Sequence, residues 1–148
     1  MNFMSEIVHK IERFCVYQER CCDEVIQKLQ LMQLDSNEID KIIAHLITKN
    51  YLNESRFACS FARGKHRIKF WGKVRIINEL KCRNITPYTI DLALKEISAE
   101  EYTTTFETLA LRNWKSIAVS DKQKKRKKFC DFLKSCLCLL SCIEVKFG

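Results

Sequence analysis

The sequence predicts an all-α fold of tandem three-helix repeats, two clear and a third more divergent, set in an elongated, curved array. Apolar residues recur at intervals of three and four almost throughout the 148-residue chain, the period of a helix with one buried stripe. Three glycines and one proline leave little material for the turns of a β architecture or for disordered linkers. The apolar pattern also repeats at a constant offset of 51 residues, pairing Val25 with Ile76, Ile26 with Ile77, Leu29 with Leu80, Leu34 with Ile85, Ile39 with Ile90 and Ile43 with Leu94. A sustained period of that size marks a unit too small to bury its apolar face alone, which therefore stacks on its neighbour.

Taken in order, Ile7, Ile11, Phe14 and Cys15 form the stripe of a first helix, and Val25, Ile26 and Leu29 that of a second, after a polar break near Arg20. Asp35 or Ser36 can cap a third helix whose buried face is expected from Ile39, Ile43, Leu46 and Ile47, with Asn50 as its stop. Asn53 opens a fourth, with Phe57, Phe61 and Ile68 on one side, and Trp71-Gly72 is expected to end it in a sharp reversal. A fifth runs from about Lys73 to Arg83 on Ile76, Ile77 and Leu80. Thr86-Pro87 starts a sixth, with proline at its first position, and Ile90, Ala93, Leu94 and Ile97 face its core.

Ser98-Ala99-Glu100-Glu101 reads as a capping box for a seventh helix on Tyr102, Phe106, Leu109, Ala110 and Ile117. An offset of 53 lays Phe129, Leu133, Cys138 and Ile143 on Ile76, Leu80, Ile85 and Ile90, the basis for a third repeat. The expected units are 1–52, 53–97 and 98–148.

The net charge of +8 is uneven. Residues 1–55 hold six Lys/Arg against nine Asp/Glu, and residues 56–148 hold twenty against nine. A basic second part favours an acidic partner, most often nucleic acid. Nine cysteines are an odd number, and the N-terminus lacks the pattern of a secretory signal, so reduced thiols in the cytoplasm are expected. The most apolar run, Cys136 to Ile143, is far shorter than the roughly 20 residues that span a bilayer, so no membrane association is expected.

The strongest functional feature is the segment from Arg63 to Arg75, in which six basic side chains flank Phe70 and Trp71. Arg63, Lys65, Arg67, Lys69, Lys73 and Arg75, together with Arg56, are candidates to neutralise phosphates or to meet an acidic protein groove. The alternative is a solvated helix face with the aromatic pair in the core. A second basic run, Lys122 to Lys128, adds Lys124, Lys125 and Arg126 as an electrostatic footprint that reads no bases. Cys130, Cys136, Cys138 and Cys142 lack the paired C-x2-C spacing of common zinc modules, so no metal and no cofactor are expected. His9, His45 and His66 fall on different helices with no carboxylate or nucleophile at a motif spacing, and each is expected to be a surface or satisfied histidine rather than a catalyst.

Four segments resemble the RecX family of bacterial regulatory proteins: Tyr17-Gln18-Glu19-Arg20-Cys21 with Glu24-Val25, Asn50 through Ala58, Phe61-Ala62-Arg63-Gly64-Lys65 through Trp71-Gly72, and Glu79-Leu80. The resemblance covers roughly residues 10–97. It implies a non-enzymatic protein, expected as a monomer, that binds the RecA recombinase filament, lies along its groove and damps strand exchange, ATPase and coprotease activities. It would meet single-stranded DNA directly or through that filament, in the setting of DNA repair and the SOS response. The chain departs from the family at its end, where Ser135-Cys136-Leu137-Cys138 stands in place of a glycine turn. The alternative from another class is a stand-alone basic nucleic-acid-binding protein.

Overall fold

The computed structural model describes residues 2–137, and side chains to Lys134. Among them are eight helices and no strand: α1 (Phe3–Tyr17), α2 (Cys22–Leu31), α3 (Ser36–Thr48), α4 (Glu54–Lys69), α5 (Lys73–Cys82), α6 (Pro87–Lys95), α7 (Ala99–Ser116) and α8 (Lys122–Leu137).

The repeat is visible in the backbone. Helices α4, α5 and α6 each start 51 residues after α1, α2 and α3. The left-handed residues that close α2 and α5, Gln33 (φ 61°) and Asn84 (φ 58°), keep the same separation. Local chemistry sets the starts. Asp35 and Glu38 form a reciprocal capping box at α3, with bonds of 2.8 and 3.0 Å, and the Asn53 side chain accepts the Arg56 N–H at α4 (2.9 Å), satisfying amides that have no partner inside a first turn.

Several expectations are corrected. Ile47 is exposed and Ile42 takes its place on the buried face of α3 beside Ile39 and Leu46. Ile68 is exposed too, and α4 buries Phe57, Ala58, Ala62 and His66. The reversal after α4 occurs at Phe70 (φ 57°), whereas Gly72 is the extended N-cap of α5 (φ −76°). The Thr86 side chain caps no backbone amide of α6; its hydroxyl lies 3.0 Å from the Glu54 carboxylate and 2.8 Å from the Thr89 hydroxyl. At α7 only half of the capping box forms: Ser98 accepts the Glu101 N–H, while the Glu101 carboxylate pairs with Arg67.

Burial divides into two cores. One holds Ile7, Ile11, Cys15, Val25, Leu29, Ile39, Ile42, Leu46 and Leu52, so α1–α3 close on themselves. The other runs through α4–α8, with Ile76 and Leu80 of α5 and Phe129 and Leu133 of α8. These four are each no more than 2% exposed, and the offset of 53 pairs them. Cys138 and Ile143, the rest of that pairing, lie outside the described residues.

Candidate functional site

The basic segment forms the corner between α4 and α5. Its residues divide into those held by acidic partners and those that are not. Arg56 is ion-paired with Glu19, and its guanidinium donates to the carbonyls of Asn50 (2.9 Å) and Tyr51 (3.3 Å). It thereby fastens α4 to the α1–α2 turn and to the turn that follows α3. Arg63 pairs with Glu96 at the end of α6 (2.7 Å), and Arg67 grips Glu101 of α7 through Nε and Nη2 (2.6 and 3.2 Å). That grip raises the Arg67 pKa and lowers that of Glu101, chiefly through the hydrogen bond between them.

Two of the remaining cations, Lys65 and Arg75, lie over the Trp71 ring. Lys65 Nζ lies 5.0 Å from its ring centroid and 5.4 Å from that of Phe61, and the Arg75 guanidinium lies 4.0 Å from the Trp71 centroid. A cation over an aromatic face keeps its charge while the ring restricts its position. Lys73 lies 5.0 Å from the Tyr102 ring and donates its backbone N–H to the phenol oxygen (3.4 Å). Lys69 is exposed, and no partner is described for it among the described residues. Aromatic contact and surface exposure therefore apply together here. Phe70 and Trp71 are both half-buried, each with a cation over its ring.

The corner is shaped from below by His66, which is fully buried and stacked on Tyr102 (5.3 Å between centroids). Its Nδ1 lies 3.0 Å from the Trp71 carbonyl. A carbonyl only accepts, so Nδ1 donates to it, while Nε2 is buried with no hydrogen-bond partner among the described residues. This corrects the expectation of a surface or satisfied histidine.

Beside the corner, Gln18, Glu19, Phe57, Phe61, Gly64, Lys65, Ile68 and Lys69 line a groove of about 270 Å³ between the first unit and α4. Sequence spacing missed this groove because Gln18 and Glu19 reach it only through folding.

The second basic run lies in the first turns of α8. Lys124 and Arg126 are exposed, and Lys125 sits 4.5 Å from the Trp114 ring centroid.

Spacing also failed to pair the other histidines. His45 Nε2 lies 2.8 Å and His9 Nδ1 3.3 Å from the Glu12 carboxylate, which α1 and α3 bring together. Among the described residues no group of three His, Cys, Asp or Glu side chains is arranged to hold a metal. Burial pushes the Cys15 thiol up to about 11 and raises Cys21 and Cys59 as well, so these cysteines stay protonated packing residues. Cys138 and Cys142 and the Cys136 side chain lie outside the described residues. No described helix is long and apolar enough to cross a membrane.

Residues 53–94 match the family model of the second three-helix domain of RecX. The regulatory protein RecX of Vibrio campbellii is 30% identical over 104 residues, spanning 70% of this chain and 66% of that protein. The one from Lactobacillus gasseri is 30% identical over 98 residues, 66% of this chain and 36% of its own length. The chain thus spans about two thirds of one of these relatives and little more than a third of the other. Two solved structures share the fold. A crystal structure of regulatory protein RecX superimposes with a TM-score of 0.80 at 18% identity, over 89% of this chain and 66% of that one. RecX from Lactobacillus salivarius gives 0.76 at 22%, over 90% and 87%. With its 51-residue helical repeat and the sequence and structural likeness together, the chain belongs to the RecX family of regulatory proteins.

Proposed function

We propose that this protein is a non-enzymatic modulator that binds the RecA–DNA filament in the cytoplasm and damps its recombinase, ATPase and coprotease activities. Family membership supports the choice of partner. The observation that carries the choice of surface is the division of the cations at the α4–α5 corner. Arg56, Arg63 and Arg67 spend their charge on Glu19, Glu96 and Glu101, so their main role is to hold neighbouring helices in register. Lys65 and Arg75 over Trp71, Lys73 over Tyr102 and Lys69 beside the groove at Gly64 have no acidic partner among the described residues, so their charge stays available. An acidic stretch of the filament, protein or phosphate, fits that corner, with the groove receiving an apolar side chain against Phe61 and Ile68.

The test is RecA ATPase on single-stranded DNA, titrated with this protein. Inhibition at micromolar protein is expected, with a Lys69→Glu/Arg75→Glu variant at least tenfold weaker. An unchanged ATPase rate at saturating protein refutes the reading.

A further inference from the structure

His66 lowers stability where it stands. It is fully buried and stacked on Tyr102, with ring planes 21° apart, and its Nε2 has no hydrogen-bond partner among the described residues. A buried nitrogen left in that state carries a desolvation penalty that a phenyl ring of similar shape avoids. In return the ring makes one directed bond, from Nδ1 to the Trp71 carbonyl (3.0 Å).

The 51-residue repeat contains the same corner built without that bond. Phe14, Cys15 and Arg20 of the first unit stand where Lys65, His66 and Trp71 stand in the second. Cys15 is buried like His66, but α1 ends at Tyr17 and leaves through an extended Gln18 (φ −155°). Helix α4 runs one position further and turns through left-handed Phe70 (φ 57°). The Phe70 and Trp71 amides there close on the His66 and Lys65 carbonyls (both 3.1 Å), a helix end that ordinarily has glycine at the left-handed position. The other left-handed residues among those described are Gln33, Asn50 and Asn84, and a bulky aromatic in that conformation is an outlier that its surroundings must hold. Ring and cation also exchange places. In the first unit the helix carries the ring, Phe14, and the link lays Arg20 over it (4.1 Å). In the second the helix carries the cation, Lys65, and the link supplies the ring, Trp71, which Arg75 covers as well.

We infer that His66 is a positioning residue: by holding the Trp71 carbonyl it maintains the left-handed turn at Phe70 and presents the half-buried Trp71 ring, with its two cations, to the partner that this corner meets. The inference rests on the filament reading of the corner. His66 itself is too deeply buried to touch a partner, so it acts through Trp71, Lys65 and Arg75. Tryptophan and arginine are the residues that most often dominate interface energy, and a ring already fixed in place loses less conformational freedom on binding. Stability and presentation thus make opposite demands at position 66, which separates this role from a purely structural one.

The experiment uses the full chain labelled with fluorotryptophan. Fluorine NMR then gives one signal for each of the two tryptophans, assigned with Trp114→Phe, and Trp114, packed edge-on against Phe129, reports on the core. His66→Phe keeps a ring against Tyr102 and removes the donor. In that variant the Trp71 signal should move while Trp114 stays, and the melting temperature should be no lower than the parent's. Co-sedimentation with RecA filaments should weaken by about tenfold, the scale of one misplaced hot-spot side chain. His66→Asn, whose amide N–H leaves from the same branch point as Nδ1, should return the Trp71 signal and the binding towards the parent. An unmoved Trp71 signal in His66→Phe overturns the inference, as does a moved signal with binding at the parent level. If Trp114 moves as well, His66→Asn decides: recovery of Trp71 supports the role, and continued displacement overturns it. The Trp71 signal is read without RecA, so failure of the parent to bind filaments sinks the filament reading, whereas an unmoved Trp71 sinks only this one.

Discussion

Gly64 lies in the middle of α4, and a Cβ built there would have nothing within 4 Å. Nothing inside the molecule requires glycine, so Gly64→Ala should stabilise the protein by about 1 kcal/mol through helix propensity alone, measured by denaturant unfolding. Because Gly64 lines the groove beside Lys65 and Lys69, the same change should weaken filament binding if that groove is used. The Glu101 carboxylate gives a pH-dependent counterpart. Its pKa is lowered in the folded state by the Arg67 hydrogen bond, so its contribution is present above the ordinary carboxylate range near about 4.3 and is lost as pH falls through the lower folded value. The melting temperature of the parent should exceed that of Glu101→Gln at neutral pH, and the small gap should close in that acidic window and shrink with salt. The caps at Asp35 and Asn53 could be read from local sequence because each acts within one turn. The left-handed Phe70 could not, because the turn it closes is pinned by the buried His66 bond to the Trp71 carbonyl.

Helices were legible wherever one stripe is apolar, and misread where the stripe is mixed. On α3 the choice between Ile42 and Ile47 depends on which side faces α1 and α2, and on α4 small Ala58 and Ala62 form the close-packed face that larger Phe61 and Ile68 only border. The register of α8 was accessible because Phe129 and Leu133 repeat the burial of Ile76 and Leu80. Leu133 is fully buried, so Leu133→Ala should cost roughly 2–5 kcal/mol by the loss of transfer energy and the cavity left behind. If α8 shares the core of α4–α7, hydrogen exchange in that variant should accelerate across those helices. Confinement of the change to α8 would contradict the shared core.

At the level of the whole molecule, two cores meet at a polar junction. Asn84 donates to Asp23 (2.8 Å), Arg56 pairs with Glu19, and Cys21 of the first unit packs into the second core. The first unit, α1–α3, is closed by its own core, so Leu29→Ala should raise exchange in α1–α3 while leaving α4–α8 near the parent level. The charge imbalance between the two parts of the chain was visible in composition, but the distinction between spent and available cations was not. Arg63 and Arg67 meet acids more than 30 residues away, which no local motif reveals. The most direct test of the account is co-sedimentation of this protein with RecA filaments on single-stranded DNA, comparing the parent with Lys65→Glu/Lys69→Glu/Arg75→Glu at matched helix content. Retention of the parent and loss of the variant from the filament pellet is the predicted result, and equal retention of both would contradict it.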